Sequence, residues 1–355
     1  MPLTPEQLIR DDIRALSVYH VPEATGLVKL DAMENPYRLP EALRLEVGRL
    51  VAEAEINRYP DAAATRLKAR LRQSMGIPES FDLLLGNGSD EIIQMLALAV
   101  ARPGATLLGL EPSFVMYRMI ATFAGLRYVG VLLKPDFTLD VEVTLAAIKE
   151  HRPALIFIAY PNNPTGNLFA EADILRILEA APGLVVLDEA YHVFAGKSFL
   201  ERLGAHPNLL VMRTLSKIGL AGLRLGFLVG APAWLGELDK VRLPYNVNVL
   251  SQLVAERVLG EMGVLEEQAS RIRDERGRLF QALAALPGVT PYPSEANFIL
   301  FRVADAERIF EGLKQQGILI KNLNRTHPLL AGCLRVTVGT PEENSRFLQS
   351  LQTLF

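Results

Sequence analysis

From about residue 80 to about residue 230, the chain alternates between near-continuous apolar runs and amphipathic segments. Residues 143–152 and 171–181 show the apolar stripe of a helix that packs on a sheet. Four runs are apolar enough for strands that are buried on both faces: ALIFIA (154–159), LVVLDEA (184–190), NLLVMRT (208–214) and RLGFLVG (224–230). This alternation predicts an α/β fold with a mostly parallel central sheet.

The pattern changes after residue 248. Residues 248–287 are helical in pattern almost throughout, which is consistent with one long connecting helix. Strand-like runs at 296–303, 318–323 and 333–339 then alternate with helical segments near 305–316 and from Pro341, which indicates a small α+β lobe. Because 355 residues are enough for two lobes, we expect a large domain over 45–265 and a small domain built from 1–44 and 266–355.

Composition narrows the class of protein. The net charge is −3, from 37 basic and 40 acidic residues, and does not favour binding to nucleic acid or to an anionic membrane. Cys333 is the only cysteine, which excludes an internal disulfide and a cysteine-based zinc site and fits a reducing compartment. Residues 1–20 do not resemble a signal peptide, and apolar stretches such as 92–100 are too short to cross a bilayer. We therefore expect a soluble cytoplasmic protein with no metal site.

The glycine-rich turn GNGSDE (86–91) runs into an apolar helix. A turn of this kind exposes backbone N–H groups to an anion, and Ser89 can add its hydroxyl. The same residues also describe an ordinary helix start, with a serine cap and acids in the first turn. The segment alone leaves both interpretations open.

The loop YPNNPTG (160–166) follows the strand-like run at 154–159. Its two prolines and its glycine force a sharp exit from the sheet. The loop is either a simple connection or a scaffold in which a fixed asparagine directs its amide at a ring hydroxyl.

Asp188 ends an apolar strand-like run. A buried carboxylate is costly without a partner, and a bound cation, a metal or a protonated ring nitrogen would supply one. A structural ion pair with an arginine would satisfy it equally well.

Lys217 is one of nine lysines, and most lysines are solvated surface residues. This one lies between the apolar run at 208–214 and the glycine-rich segment GLRLG (222–226). Such surroundings lower the pKa of a lysine and make it a usable amine nucleophile. Arg224 can bind a phosphate group through two hydrogen bonds.

The order of these segments is more informative than any one of them. Together they supply the phosphate cradle, the acid for a ring nitrogen, the donors for a phenolate oxygen and the amine that pyridoxal 5′-phosphate (PLP) requires. Over essentially its whole length the chain resembles the fold-type I aminotransferases and, within them, the histidinol-phosphate aminotransferases. The matching segments, in order, are NRYP (57–60), GNGSDE (86–91), PNNPTG (161–166), DEAY (188–191), TLSK (214–217), GLRLGF (222–227) and CLRVTVG (333–339).

The resemblance implies the fold-type I PLP transferase fold and a role for each matching position. Lys217 would form the Schiff base with PLP and later move the substrate proton, and Asp188 would pair with the pyridinium nitrogen. Asn163 and Tyr191 would hydrogen-bond the phenolate oxygen, and Phe114 would stack on the ring. The remaining cofactor contacts, mainly to the phosphate, are implied for Gly88, Ser89, Asp90, Ser216 and Arg224.

The resemblance also implies a homodimer with shared active sites, since Tyr59 matches a tyrosine that reaches the cofactor phosphate of the neighbouring subunit. Arg335 matches the arginine that anchors the anionic end of each substrate. An exposed strand arginine is the alternative, which the apolar context LRVTV disfavours. Further substrate-binding positions are implied for Tyr19, Glu34, Asn297 and Lys321.

Three departures from the family pattern bear on the site. Met33 stands where the family usually has asparagine, and Lys321 stands where an arginine often helps to bind the substrate phosphate. A lysine keeps the charge but loses the planar fork of a guanidinium group. The segment from Lys217 to Arg224 is one residue shorter than in many relatives.

The implied activity is a ping-pong transamination between L-histidinol phosphate and 2-oxoglutarate, a step of histidine biosynthesis. One alternative is a related enzyme, either an aromatic amino acid aminotransferase or an amino-acid-phosphate decarboxylase. Another is a non-catalytic PLP-binding regulatory module. The second alternative is disfavoured because it requires a helix-turn-helix extension and the chain has no basic N-terminal domain.

Overall fold

The computed structural model describes residues 3–18 and 21–355. The strands are β1 (Val28–Lys29), β2 (Asp82–Asn87), β3 (Thr106–Glu111), β4 (Arg127–Leu132), β5 (Leu155–Ala159), β6 (Leu184–Asp188), β7 (Leu209–Thr214), β8 (Leu225–Gly230), β9 (Thr290–Pro291), β10 (Phe298–Arg302), β11 (Ile318–Leu319), β12 (Lys321–Asn322) and β13 (Cys333–Thr337). The α-helices are α1 (Pro5–Leu8), α2 (Asp11–Arg14), α3 (Glu41–Glu53), α4 (Thr65–Met75), α5 (Ser89–Val100), α6 (Met116–Phe123), α7 (Val141–His151), α8 (Glu171–Ala180), α9 (His192–Ala195), α10 (Pro232–Leu238), α11 (Val249–Leu259), α12 (Met262–Ala284), α13 (Ala306–Gln315) and α14 (Pro341–Gln352). None of the helices in the described ranges is long and apolar enough to cross a membrane.

A seven-stranded sheet forms the larger part of the fold, in the order β2-β8-β7-β6-β5-β3-β4. All neighbouring pairs from β7 to β4 are parallel, whereas β8 runs antiparallel to both β2 and β7. The predicted mostly parallel sheet is confirmed. Because β2 and β7 are both antiparallel to β8, the carboxyl ends of β2, β3, β5, β6 and β7 lie along one edge, where β8 begins.

The strands of this sheet are buried on both faces. Successive residues of a strand point to opposite faces, so β5 divides its side chains between two cores. Ile156 and Ile158 pack in the core that includes α4, α7, α8 and α11, whereas Leu155 and Phe157 pack in the core that includes α5, α6 and α10. The two-sided burial explains why these strands are almost continuously apolar in sequence.

A smaller antiparallel sheet, in the order β12-β13-β10-β9, packs in a third core with α12, α13 and α14. The run 318–323 was predicted as one strand, but it divides at Ile320. Its first part, β11, pairs with β1, and its second part, β12, pairs with β13. The predicted domain limits, 45–265 for the large domain and 1–44 with 266–355 for the small one, stay a prediction.

The run 248–287 is helical as predicted, but it forms two helices rather than one. The break lies at Gly260 and Glu261, between α11 and α12. Glu261 has φ −113° and ψ 42°, which lies outside the helical region. A glycine inside a helix costs about 1 kcal/mol relative to alanine, so Gly260 is a weak point at which the chain can change direction.

Candidate active site

A cavity with about 570 Å³ of empty space opens at the carboxyl edge of the seven-stranded sheet. Its lining includes nine of the residues that were predicted to bind the cofactor, which come from the ends of five different strands or from the loops after them. These nine are Ser89, Asp90, Phe114, Asn163, Asp188, Tyr191, Ser216, Lys217 and Arg224.

Lys217 lies in a short helical turn, Ser216–Leu220, directly after β7. Its Nζ donates a hydrogen bond of 3.1 Å to the carbonyl oxygen of Ala32 and lies 5.9 Å from the centre of the Tyr191 ring. Burial, and next the positive charge of Arg335, lowers the pKa of Lys217 to about 8. A much larger fraction of this amine is therefore neutral at physiological pH than for a solvated lysine.

Asp188 is the last residue of β6 and is buried. The hydroxyl of Tyr117 donates to Oδ2 at 2.6 Å, and the backbone N–H of Ala190 donates to Oδ1 at 3.1 Å. Both hydrogen bonds favour the carboxylate, yet burial dominates and raises the pKa of Asp188 to about 6. A cation against this carboxylate would offset the cost of its burial.

The arginine ion pair that was an alternative for Asp188 belongs to the next residue, Glu189. Glu189 Oε2 accepts from Arg213 Nη2 at 2.8 Å, and both side chains are buried. Ser198 and the backbone N–H of Phe199 also donate to this carboxylate. Glu189 is thus satisfied within the protein, whereas Asp188 faces the cavity.

The start of α5 forms a cradle for an anion. Gly88 has φ +85°, and a Cβ there would lie 2.7 Å from Arg224 Nη2. A Cβ on Gly226 would lie 2.6 Å from the backbone nitrogen of Ser89. The two glycines therefore allow Arg224 and β8 to approach the free N–H groups of the helix. Arg224 Nη2 also lies 3.4 Å from Asp90 Oδ2, and a helix start beside a guanidinium group favours a phosphate.

The interpretation of the turn GNGSDE as an ordinary helix start holds only in part. Acids lie in the first turn of α5, and Glu91 accepts from the backbone N–H of Asn87 at 2.6 Å. The predicted serine cap is wrong, because Gly88 is the N-cap and Ser89 is the first helical residue, and the binding of a phosphate at this turn stays a prediction.

The donor set fits PLP. It combines an amine with a lowered pKa, a buried carboxyl that accepts from neutral donors, an anion cradle and an aromatic ring, Phe114, in one cavity. These are the groups that PLP uses for its aldehyde, ring nitrogen, phosphate and ring face.

A second cavity, with about 1540 Å³ of empty space, shares Met33, Phe114 and Asn163 with the first. Arg335 and Lys321 lie opposite each other on β13 and β12 in its wall. Arg335 is buried, donates to the Asp31 carbonyl at 2.9 Å and also donates to Asn163 Oδ1. The exposed alternative for Arg335 is therefore wrong, and two cations lie next to each other in the wall of this cavity.

The far wall of this second cavity is also charged. Glu111 forms an ion pair with Arg118 and lies 4.0 Å from His327 Nε2. His327 Nδ1 accepts from the backbone N–H of Leu329, so its Nε2 is the nitrogen that can donate. These residues were missed by the motif analysis because their segments are far apart in sequence.

Tyr59, Glu34 and Asn297, which were also predicted site residues, line neither of these two cavities. Tyr19 lies outside the described residues. Tyr59 is 80% exposed and stacks on Tyr245, with ring centroids 4.4 Å apart. Glu34 binds Lys29 at 2.6 Å in a separate cleft, and Asn297 is buried and donates to the Met33 carbonyl at 2.9 Å.

Tyr117 is a site residue that the motif analysis did not single out. It is fully buried, donates to Asp188 and packs edge-on against Phe114 at 5.6 Å. The only sequence signal was its position three residues after Phe114 in the segment EPSFVMY, which is helical spacing.

The comparisons with known proteins agree with this geometry. Residues 25–351 match the family described as aminotransferase class I and II. The chain is 57% identical over 350 residues to histidinol-phosphate aminotransferase 2 of Cupriavidus pinatubonensis, which covers 97% of this chain and 96% of that protein. It is 54% identical over 355 residues to the histidinol-phosphate aminotransferase of Chromobacterium violaceum, with 100% of both chains covered.

The solved structure of the histidinol-phosphate aminotransferase from Sinorhizobium meliloti in complex with pyridoxal-5′-phosphate has the same fold. Its TM-score is 0.87 at 24% identity, and the match covers 98% of this chain and 97% of that one.

Replacing Asp188 with asparagine should change how the stability of the cofactor-free protein depends on pH. The folded protein keeps the Asp188 proton up to about pH 6, whereas an unfolded chain releases it near 3.8. The contribution of Asp188 to wild-type stability therefore falls as the pH rises through this window, because at this site the folded state binds more protons than the unfolded chain. Relative to wild type, Asp188→Asn should gain about 3 kcal/mol across the window. Urea unfolding of both proteins at several pH values measures this gain, and a constant difference would contradict a raised pKa.

Proposed function

The chain belongs to the class I and II aminotransferase family, and we propose that it transfers an amino group between L-histidinol phosphate and 2-oxoglutarate, with PLP as cofactor. One observation is central to the proposal. The cavity that contains Lys217 and Asp188 shares part of its wall with the cavity that contains Arg335 and Lys321. The names of relatives at 54% and 57% identity support this choice of donor and place the step in histidine biosynthesis.

Each side of the first cavity would hold one part of the cofactor. When bound, PLP supplies an electron-accepting ring that stabilises negative charge on the α-carbon of the substrate. Lys217 would hold its aldehyde carbon and Asp188 its protonated ring nitrogen, while Asn163 and Tyr191 would bind the phenolate oxygen. Phe114 would lie on the ring face. The phosphate would be bound at the backbone of Gly88 and Ser89 and by the side chains of Ser216 and Arg224, and Asp90 would contact the cofactor beside them.

Lys217 would also move the substrate proton. With a pKa of about 8, its Nζ is often neutral near physiological pH and can accept the proton from the α-carbon of the donor. The resulting ammonium group can then return the proton to a neighbouring carbon. Tyr191 beneath the amine and the surrounding burial restrict where Nζ can move and keep water away from it.

Arg335 and Lys321 would bind the anionic end of both substrates. The phosphate of histidinol phosphate and a carboxylate of 2-oxoglutarate would meet the same two cations in the two half-reactions. Arg335 is preorganised for this role because the Asp31 carbonyl and Asn163 already orient its guanidinium group.

The charged far wall of the second cavity favours a polar ring on the donor over a phenyl ring. Glu111 can accept a hydrogen bond there, and His327 Nε2 can donate one. This argues against the aromatic amino acid aminotransferase that shares the Lys217 machinery.

We also propose that the enzyme works in the cytoplasm as a homodimer with shared sites. Tyr59 and Tyr245 form a stacked pair at the surface, and a tyrosine that is 80% exposed offers little to the stability of its own chain. A role for Tyr59 at the phosphate of the neighbouring subunit would account for this exposure.

A panel of amine donors with 2-oxoglutarate tests the proposed function. Glutamate formation with histidinol phosphate should exceed that with phenylalanine by about 100-fold in kcat/KM, because a phenyl ring leaves polar groups of the site unpaired. Lys217→Ala should lose both the activity and the visible absorption of bound PLP. Equal rates with phenylalanine, or release of carbon dioxide, would support one of the related enzymes instead.

Removing the charge of Arg335 should weaken both half-reactions. Arg335→Met should lower kcat/KM by about 100-fold or more for histidinol phosphate and for glutamate, since each anion loses a buried charged partner. Lys321→Arg serves as the matched control and should retain or improve the rate, because a planar guanidinium group can bind an anion through two parallel hydrogen bonds. An unchanged KM and kcat in Arg335→Met would show that the anions bind elsewhere.

Two inactive variants should complement each other if the sites are shared. In a mixed dimer, the Tyr59→Ala subunit provides Lys217 and the Lys217→Ala subunit provides Tyr59, so one complete site forms. Unfolding and refolding a mixture of the two variants should restore activity above either one alone. A mixture no more active than the average of its components would contradict sharing through Tyr59.

A further inference from the structure

Residues 31–33, here called the strap, present three consecutive backbone carbonyls to three different side chains of the site. The Asp31 carbonyl accepts from Arg335 Nη2 at 2.9 Å, and the Ala32 carbonyl accepts from Lys217 Nζ at 3.1 Å. The Met33 carbonyl accepts from Asn297 Nδ2 at 2.9 Å. The strap therefore contacts the amine of the first cavity and the guanidinium group of the second at the same time.

Met33 is the residue at which the chain turns from β11 and β13 towards the segment that contains Lys217. Before it, Leu30 donates a backbone hydrogen bond to Leu319 of β11 and accepts one from Thr337 of β13. After it, Asn35 donates to the Ile218 carbonyl at 2.9 Å, next to Lys217. The turn requires φ +54° at Met33, in the left-handed region that methionine rarely adopts.

The left-handed backbone of Met33 is held from both sides. Its N–H donates to Thr337 Oγ1 at 2.9 Å, and its carbonyl accepts from the buried Asn297. Its sulfur also lies 3.7 Å from the hydroxyl of Tyr191, so the side chain forms part of the wall between the two cavities. A strained residue that is fixed by this many partners is typical of a functional position.

We propose that Met33 is a positioning residue for Lys217: its left-handed backbone directs the Ala32 carbonyl at the amine and so favours the ammonium form until PLP displaces the contact. This inference rests on the proposed role of Lys217 as the residue that holds PLP. It adds a residue to that site.

The direction of the effect follows from the hydrogen bond. A carbonyl that accepts from an ammonium group stabilises its charged form, so the contact with Ala32 opposes the lowering of the Lys217 pKa by burial. The other charged or titratable groups around this amine act in both directions. Arg335 and Arg224 favour the neutral amine, whereas Glu34 and Asp90 favour the ammonium form. The ring of Tyr191 also faces the amine. Moving the Ala32 carbonyl away should therefore make the amine easier to deprotonate.

Substitutions at Met33 can separate the backbone effect from the loss of a side chain. Met33→Ile places a β-branched residue at a left-handed φ and should force the strap out of position. Met33→Asn adopts this conformation readily and should leave the strap in place. Met33→Leu keeps about the same side-chain volume and backbone preferences as methionine but removes the sulfur. Met75→Leu, at the end of α4, is the control for a methionine outside the site.

The experiment measures the pH at which Lys217 becomes reactive in the full-length protein freed of PLP. The rate at which an amine-selective acylating reagent modifies Lys217 is followed by mass spectrometry across pH. In Met33→Ile the midpoint should lie about half a unit to one unit lower than in wild type, the shift that corresponds to one lost hydrogen bond. Met33→Asn, Met33→Leu and Met75→Leu should keep the wild-type midpoint. Visible absorption should show faster attachment of PLP to Met33→Ile at neutral pH.

Thr337→Val provides a second variant if Met33→Ile does not fold. It removes the hydroxyl that accepts from the Met33 N–H and is close in shape to threonine. A shift of the midpoint to lower pH, smaller than in Met33→Ile, would support the proposal. Equal midpoints in wild type, Met33→Ile and Thr337→Val, or equal shifts in Met33→Ile and Met33→Asn, would overturn it. Full transaminase activity in Lys217→Ala would instead refute the proposed function of Lys217, because the acylation midpoints do not depend on catalysis.

Discussion

The carboxyl group of Asp188 is held out of water at the end of β6, and much of the site depends on the energy of keeping it there. Burial raises the pKa of Asp188 to about 6 and lowers that of Lys217 to about 8 in the same cavity. Without the cofactor, the protein thus shifts both groups towards their neutral forms relative to solvated side chains. A single PLP molecule would place its protonated ring nitrogen against Asp188 and its aldehyde on the amine of Lys217.

The two acids at the end of β6 show how one strand can serve stability and chemistry at once. Glu189 is paired with Arg213 inside the protein, whereas Asp188 receives only neutral donors, Tyr117 and the backbone of Ala190. The two adjacent carboxylates therefore have different surroundings, although a cation would stabilise each of them. The protonated ring nitrogen of PLP would be that cation for Asp188, as Arg213 is for Glu189.

Much of this arrangement could be predicted from the sequence, because strands that are buried on both faces leave continuous apolar runs and the site residues follow them directly. The positions of Lys217, Asp188 and Arg224 at one edge follow from that rule. Contacts that depend on distant segments could not be predicted. The stacking of Tyr59 on Tyr245, the hydrogen bond from Tyr117 and the separation of Glu34 from the Lys217 cavity result from packing. The break at Gly260 was missed because its neighbours continue the helical pattern.

The strap has a consequence for how such a site can vary in sequence. Its three acceptors are backbone atoms, so no change of side chain at residues 31–33 can delete them. What a substitution can change is the preferred backbone torsion. What is constrained at residues 31–33 is therefore the backbone conformation and not the chemistry of the side chains. A sequence comparison that scores only polarity or size would conclude that these positions tolerate many residues. Residues that look unremarkable by composition can still determine the direction in which the main chain presents its oxygens to the lysine.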